Sequence, residues 1–168
     1  MNRPAWIMVA VLVSAVALTV GCTTEPRISI SDQGTLSERT ATAVSGSVGL
    51  VITNPSTLEI ELLEYHYTVS SGGGTWTGRH AGELVLSPGI DRQAVLPIVV
   101  RAPAGGWSDG RPPESVQCRV SGSLVYIGNG VFDETLAELG YRPSADFGGT
   151  VVLRPGQVVR AEQAAESN

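Results

Sequence analysis

The chain has 168 residues, enough for one domain with extensions, and 42% of them are hydrophobic, enough for one buried core. A formal charge of -5 and arginines scattered along the chain give no electrostatic footprint for a phosphate backbone, so nucleic acid is not an expected partner. All eleven basic residues are arginine, which excludes a lysine Schiff base and a P-loop lysine.

The chain opens with Met1-Asn2-Arg3, a short positive region, followed by an apolar run from Ala5 to Val20 and then Gly21-Cys22. The run is shorter than the roughly 20 residues of a spanning helix, and a small residue beside a cysteine suits signal cleavage. "LTVGC" resembles a bacterial lipoprotein signal, which implies that Cys22 is lipidated and becomes the first mature residue. The alternative is an uncleaved membrane anchor. Either reading puts the domain in the cell envelope, and Thr23, where an inner-membrane retention signal has Asp, points to the outer membrane facing the periplasm. The expected organisation is a signal peptide over residues 1–21, a polar tether over 22–37, a domain over 38–154 and a polar tail over 155–168.

Within the domain, Val44, Val48, Leu50 and Ile52 alternate with Ser45, Ser47, Gly49 and Thr53, the pattern of a strand packed on one face. Asn54-Pro55-Ser56 interrupts it, and Leu58, Ile60 and Leu62 then face inward. The phase shifts to Leu63, Tyr65, Tyr67 and Val69, which predicts a bulge at Leu62-Leu63. "SSGGGTWTGR" predicts a hairpin with Trp76 on the return. It is not a phosphate loop, because no Gly-Lys-Ser/Thr follows.

Two further strands flank Ser87-Pro88-Gly89. The second carries Leu96, Ile98 and Val100 on one face, with Pro97 marking an edge or a bulge. Val116, Cys118, Val120, Leu124 and Tyr126 share a strand face, which makes Cys118 a buried, inert thiol rather than a nucleophile. "VFDETLAELGY" predicts a short helix with Phe132, Leu136 and Leu139 on its apolar face and Gly140 as its stop. "ADFGGTVVLRP" is the last strand. About seven short antiparallel strands and one short helix predict an all-β, two-sheet sandwich.

"VGLVITNPSTLEIELLEYHYTVSSGG", followed by "LSPG", "CRVSGSLVY" and "FGGTVVL", resembles the late-embryogenesis-abundant group-two domain, also called the WHy (water stress and hypersensitive response) domain. The match spans about Glu38 to Leu153, and its most specific part is the strand ending in Asn54-Pro55, then alternating apolar residues, then a tyrosine before a Gly-rich turn. The resemblance implies an immunoglobulin- or fibronectin-III-like β-sandwich, no catalytic residues, no cofactor and an association with desiccation and other stress. Physically, the Asn54 amide can cap the connection, while Pro55 fixes its own backbone and removes a ladder donor.

Chemistry elsewhere is sparse. His66 and His80 are the only histidines, and a hairpin would let them approach as weak metal-ligand candidates beside Glu64, although they lack a third fixed ligand. There is no G-x-S-x-G elbow, and Glu59 and Glu61 belong to a solvated strand face. The function expected from the whole is a non-catalytic, lipid-anchored envelope protein that protects proteins or membranes under water stress. Its partners would be the membrane, through Cys22, and client proteins. The alternatives are an adaptor in an envelope assembly or transport complex and, at a greater distance, a small metallo- or hydrolytic enzyme.

Overall fold

The structure, a computed structural model, describes residues 25–72 and 74–156. The expected signal sequence, Cys22 and the chain beyond residue 156 lie outside the described residues. Seven strands form: β1 Arg27–Arg39, β2 Ala43–Thr53, β3 Ile60–Ser71, β4 Gly74–Leu86, β5 Asp91–Arg101, β6 Val116–Gly128 and β7 Ser144–Pro155. One helix, α1 Val131–Glu138, lies between β6 and β7.

The alternating side chains account for the core. Val44, Val48, Leu50 and Ile52 of β2, Leu96, Ile98 and Val100 of β5, and Val116, Cys118, Val120, Leu124 and Tyr126 of β6 are all buried. Each fully buried aliphatic side chain contributes about 1.5–3 kcal/mol. In β3 the register shifts between Leu62 and Glu64, so that Ile60 and Leu62 before the bulge and Tyr65, Tyr67 and Val69 after it all face the interior. Without that extra residue one of the two sets would face water. Leu58, expected inside, precedes β3 and is exposed.

The expected pair of separate antiparallel sheets is replaced by a single mixed sheet in the order β4-β3-β6-β7-β1-β2-β5. The edge strands β4 and β5 lie against one another, and the Tyr67 hydroxyl on β3 donates to the Pro97 carbonyl on β5, so the sheet curls nearly into a barrel around the core. Pro97 sits on an edge strand, where its missing N–H costs no ladder bond.

The joint in this sheet is β1, most of which the sequence reading assigned to a tether. It pairs antiparallel with β2 from Arg27 to Arg39 and parallel with β7 over Gln33 to Leu36. Only Leu36 is buried, with Ile28 and Ile30 packed partly against the core, so the strand is held mainly by its backbone ladders. Gly34 fits the middle of the joint because a Cβ there would stand 2.6 Å from both the Ser47 carbonyl oxygen and a Leu153 methyl group. A composition of serine, threonine, glycine and aspartate therefore conceals an internal strand.

The helix starts after Gly130 and stops at Gly140, whose φ of 87° ends it as expected, with the Tyr141 amide donating to the Leu136 carbonyl. Its apolar face does not pack as expected. Phe132 is 68% and Leu139 79% exposed, while Leu136 is half-buried.

Candidate functional site

The strand ends of this fold gather at two poles. One pole holds the start of β1, the β2–β3 and β4–β5 turns, and the passage from β6 through α1 to β7; the other holds the β3–β4 hairpin and the β5–β6 loop. Asn54 organises the first pole. It is fully buried, and its Nδ2 donates to the carbonyls of Leu58 at 2.8 Å and Leu86 at 2.9 Å. Its Oδ1 accepts from the Ser56 amide at 3.0 Å, and its own carbonyl accepts from the Gly89 amide at 2.7 Å.

One side chain thereby ties the β2–β3 turn to the end of β4, with every polar atom satisfied. The same turn reaches the helix end of the pole, where the Asn129 amide donates to the Glu59 carbonyl. Asn54-Pro55 is thus an architectural element, its side-chain amide engaged on both sides within the pole.

His66 and His80 do not converge. His66 is opposite Arg79 in the β3–β4 ladder and His80 is opposite Tyr65, so the two rings project from opposite faces of the sheet. Glu64 instead assembles a cluster that the sequence reading missed. Arg79 Nε and Nη2 each donate to it at 2.7 Å, and His66 Nε2 lies 2.7 Å from the same carboxylate. The signal was available in hindsight: in an antiparallel hairpin with Ser71 opposite Gly74, residues 66 and 79 face one another.

The Arg79 guanidinium, and then His66, hold the Glu64 carboxyl down at about 2. A carboxylate depressed in the folded state contributes stability that is present above its ordinary value and lost as the pH falls through 4.5 toward 2. Glu64→Gln is expected to lower the neutral-pH midpoint by a small amount, because the pair is exposed to solvent, and to flatten the acid limb by the same amount, so that variant and wild type converge toward pH 2. Urea titrations across pH 2–7 would show it.

On the opposite face, Tyr65 is 1% exposed with its hydroxyl buried and unpartnered among the described residues, and burial pushes its pKa up to about 12. The His80 ring packs against it, 6.2 Å between centroids. Removing the hydroxyl removes a desolvated polar group without opening a cavity. Tyr65→Phe is therefore expected to stabilise the fold by about 1 kcal/mol, read from the urea midpoint.

Cys118 is buried, and burial raises its thiol, as an inert core cysteine requires. Among the described residues no three His, Cys, Asp or Glu side chains cluster in a way that could hold a metal ion, and no helix is long and apolar enough to cross a membrane.

A concavity also lies at the Asn54 pole. It is a cleft of about 650 Å³ between α1 and the ends of β6 and β7, lined by Glu25, Tyr126, Phe132, Leu136, Tyr141 and Arg142 among others. Burial raises the Tyr126 phenol above its usual range, and the nearby Glu25 adds to the effect. The lining of the cleft mixes the apolar Phe132 and Leu136 with Glu25, Asp133 and Arg142, and the chain enters the fold there at Glu25.

Fold and site define an all-β domain built on one mixed seven-stranded sheet, with an Asn-Pro turn locking one pole. Solved structures share that fold. One is the structural-genomics target SoR45, with a TM-score of 0.54, 13% identity, and coverage of 87% of this chain and 98% of that one. Another is a Bordetella pertussis protein described as ApaA, with a TM-score of 0.51, 11% identity, and coverage of 81% and 99%. A protein solved in solution and described as late embryogenesis abundant (LEA) aligns at a TM-score of 0.46 and 13% identity, covering 90% of this chain and 86% of that one. No family model and no curated protein matches the sequence.

Proposed function

We propose that this chain is a non-catalytic, lipid-anchored envelope protein whose late-embryogenesis-abundant (WHy-type) domain protects proteins or membranes during desiccation or a related stress. The observation that carries this reading is Asn54. The most specific part of the family-like motif is fully engaged in joining two turns, which is the role of a scaffold signature and not of a catalytic or ligand-binding one. The lipoprotein-like "LTVGC" supports the anchor at Cys22, and a β-sheet that buries one continuous core supports a rigid module.

A chain starting at Glu25, dried and rehydrated with a labile enzyme, is expected to preserve its activity at substoichiometric amounts better than an inert β-protein of equal size. Equal preservation by the two would sink the protectant reading. A second reading, an adaptor that docks an envelope partner, is favoured by the exposed apolar side chains of the Asn54 pole.

A further inference from the structure

Eight large apolar side chains are exposed among the described residues, and Val51, Val85 and Val95 of these stand on strands β2, β4 and β5. The other five, Leu58, Ile90, Phe132, Leu139 and Tyr141, all lie in the connections of one pole. They adjoin through the network already described. The Gly89 amide bond to the Asn54 carbonyl brings the Ile90 turn beside the Leu58 turn, and a Leu58 methyl group lies 3.4 Å from where a Cβ on Gly130 would stand, at the start of α1. The opposite pole carries none of the eight; its β5–β6 loop exposes Ser108, Asp109, Arg111 and Glu114 and tucks Trp107 partly against the core.

The apolar pole is also where the chain enters the fold, since Glu25 lines the same cleft as Phe132 and Tyr141. Two residues, Thr23 and Thr24, separate Cys22 from Glu25, a reach of at most about 10 Å even when fully extended. A lipid on Cys22 would hold this pole, and no other part of the domain, within that distance of the bilayer surface.

We propose that the pole formed by Leu58, Ile90, α1 and Tyr141 docks on the lipid bilayer, with Phe132 and Leu139 inserted among the headgroups. The inference rests on the lipid-anchor reading of Cys22. An interfacial helix turns its apolar side chains roughly 5–10 Å into the headgroup boundary, where aromatic residues such as Phe132 and Tyr141 are favoured. The charge on the helix selects the lipid. Asp133 and Glu134 fill its first turn and Glu138 its end, while Arg142 is engaged with the Ala137 and Tyr141 carbonyls. Anionic headgroups would meet like charge, so a zwitterionic surface such as phosphatidylcholine or phosphatidylethanolamine is the expected partner. A protein occupant of this pole would have to displace a surface that the anchor holds there at high local concentration.

The test uses the full lipidated chain in phosphatidylcholine vesicles that carry nitroxide-labelled lipid, with a fluorophore attached at Glu138→Cys on the apolar pole or at Asp109→Cys on the far one. Docking predicts quenching several-fold stronger at position 138 than at 109. It also predicts that Phe132→Ser with Leu139→Ser lowers the quenching at 138 toward the level at 109, and that added phosphatidylglycerol weakens it. Equal quenching at the two positions, with mass spectrometry showing a diacylglyceryl group on Cys22, would overturn the docking and leave the anchor intact. Undiminished quenching in the double-serine variant would reduce the effect to tether proximity and overturn it equally. Absence of the lipid mass on Cys22 would overturn the anchor reading itself, and the docking with it.

Discussion

A chain beginning at Glu38 is expected to lose cooperative folding, whereas one beginning at Glu25 retains it. The deletion takes out β1 up to Ser37, and β1 is the only strand paired to both β2 and β7. Without it the ladder separates into β4-β3-β6-β7 and β2-β5, two pieces with no strand ladder between them. The lost terms are the net contributions of two ladders, at about 0.5–1.5 kcal/mol per hydrogen bond, and the burial of Leu36, at about 1.5–3 kcal/mol. Their sum is of the order of the whole stability of a domain, about 5–15 kcal/mol, so the effect is loss of the fold rather than a shifted midpoint. Far-ultraviolet circular dichroism and a urea titration of the two chains would separate them. A cooperative transition with the same midpoint in the shorter chain would contradict the role of β1. The protection assay depends on this boundary, since a domain cut at Glu38 would fail for want of a fold and not for want of function.

The missed strand shows where the pattern in this sequence stops carrying information. Strands β2, β3, β5 and β6 each bury one face against the core, so their apolar residues recur at every second position and their phase is legible, including the bulge at Leu62-Leu63. β1 buries only Leu36, is broken by register shifts after Ile30 and after Leu36, and is held through backbone groups that any sequence possesses. Composition therefore described its side chains correctly and its structure wrongly.

The short helix fails in the opposite sense. The i, i+4, i+7 spacing of Phe132, Leu136 and Leu139 correctly predicted a helix, yet periodicity states only that an apolar face exists and not what covers it. The single continuous sheet was out of reach for a related reason. Strand count and turn spacing are the same whether the strands split into two sheets or are joined by a parallel β1–β7 pair, because that pairing connects the two ends of the chain. At the candidate site, Asn54 was legible because the turn chemistry of Asn-Pro is local. Its bond to the Leu86 carbonyl, 32 residues away, was not.

That long bond makes Asn54 a sensitive position in the domain. Asn54→Leu, close in size, is expected to destabilise the fold by about 2–6 kcal/mol, because the Leu86 carbonyl and the Ser56 amide each lose their partner at roughly 1–3 kcal/mol apiece, while the Leu58 carbonyl keeps its bond from the Ser56 hydroxyl. Pro55→Ala, which frees a backbone angle and breaks none of these bonds, should cost about 1 kcal/mol or less.

Asn54→Asp gives the sharper diagnosis. One carboxylate oxygen can still accept from the Ser56 amide, but the other faces two carbonyl oxygens, so the folded state favours the protonated acid and raises its pKa. A carboxyl raised in the folded state loses stability as the pH rises through its ordinary value, and the variant should therefore recover toward the wild-type midpoint in acid and fall away from it at neutral pH. This trend runs opposite to the Glu64 effect and cannot be mistaken for it.

Urea midpoints of the three variants at pH 4 and pH 7 would decide the matter. If Asn54→Leu and the wild type unfolded at the same denaturant concentration, the amide would not be structural and a ligand would have to be sought at the turn. If the expected loss appears, the Leu58 and Ile90 turns should loosen with it. The same variant, lipidated and held at a temperature where it remains folded, should then bind vesicles with its apolar pole less sharply positioned than the wild type.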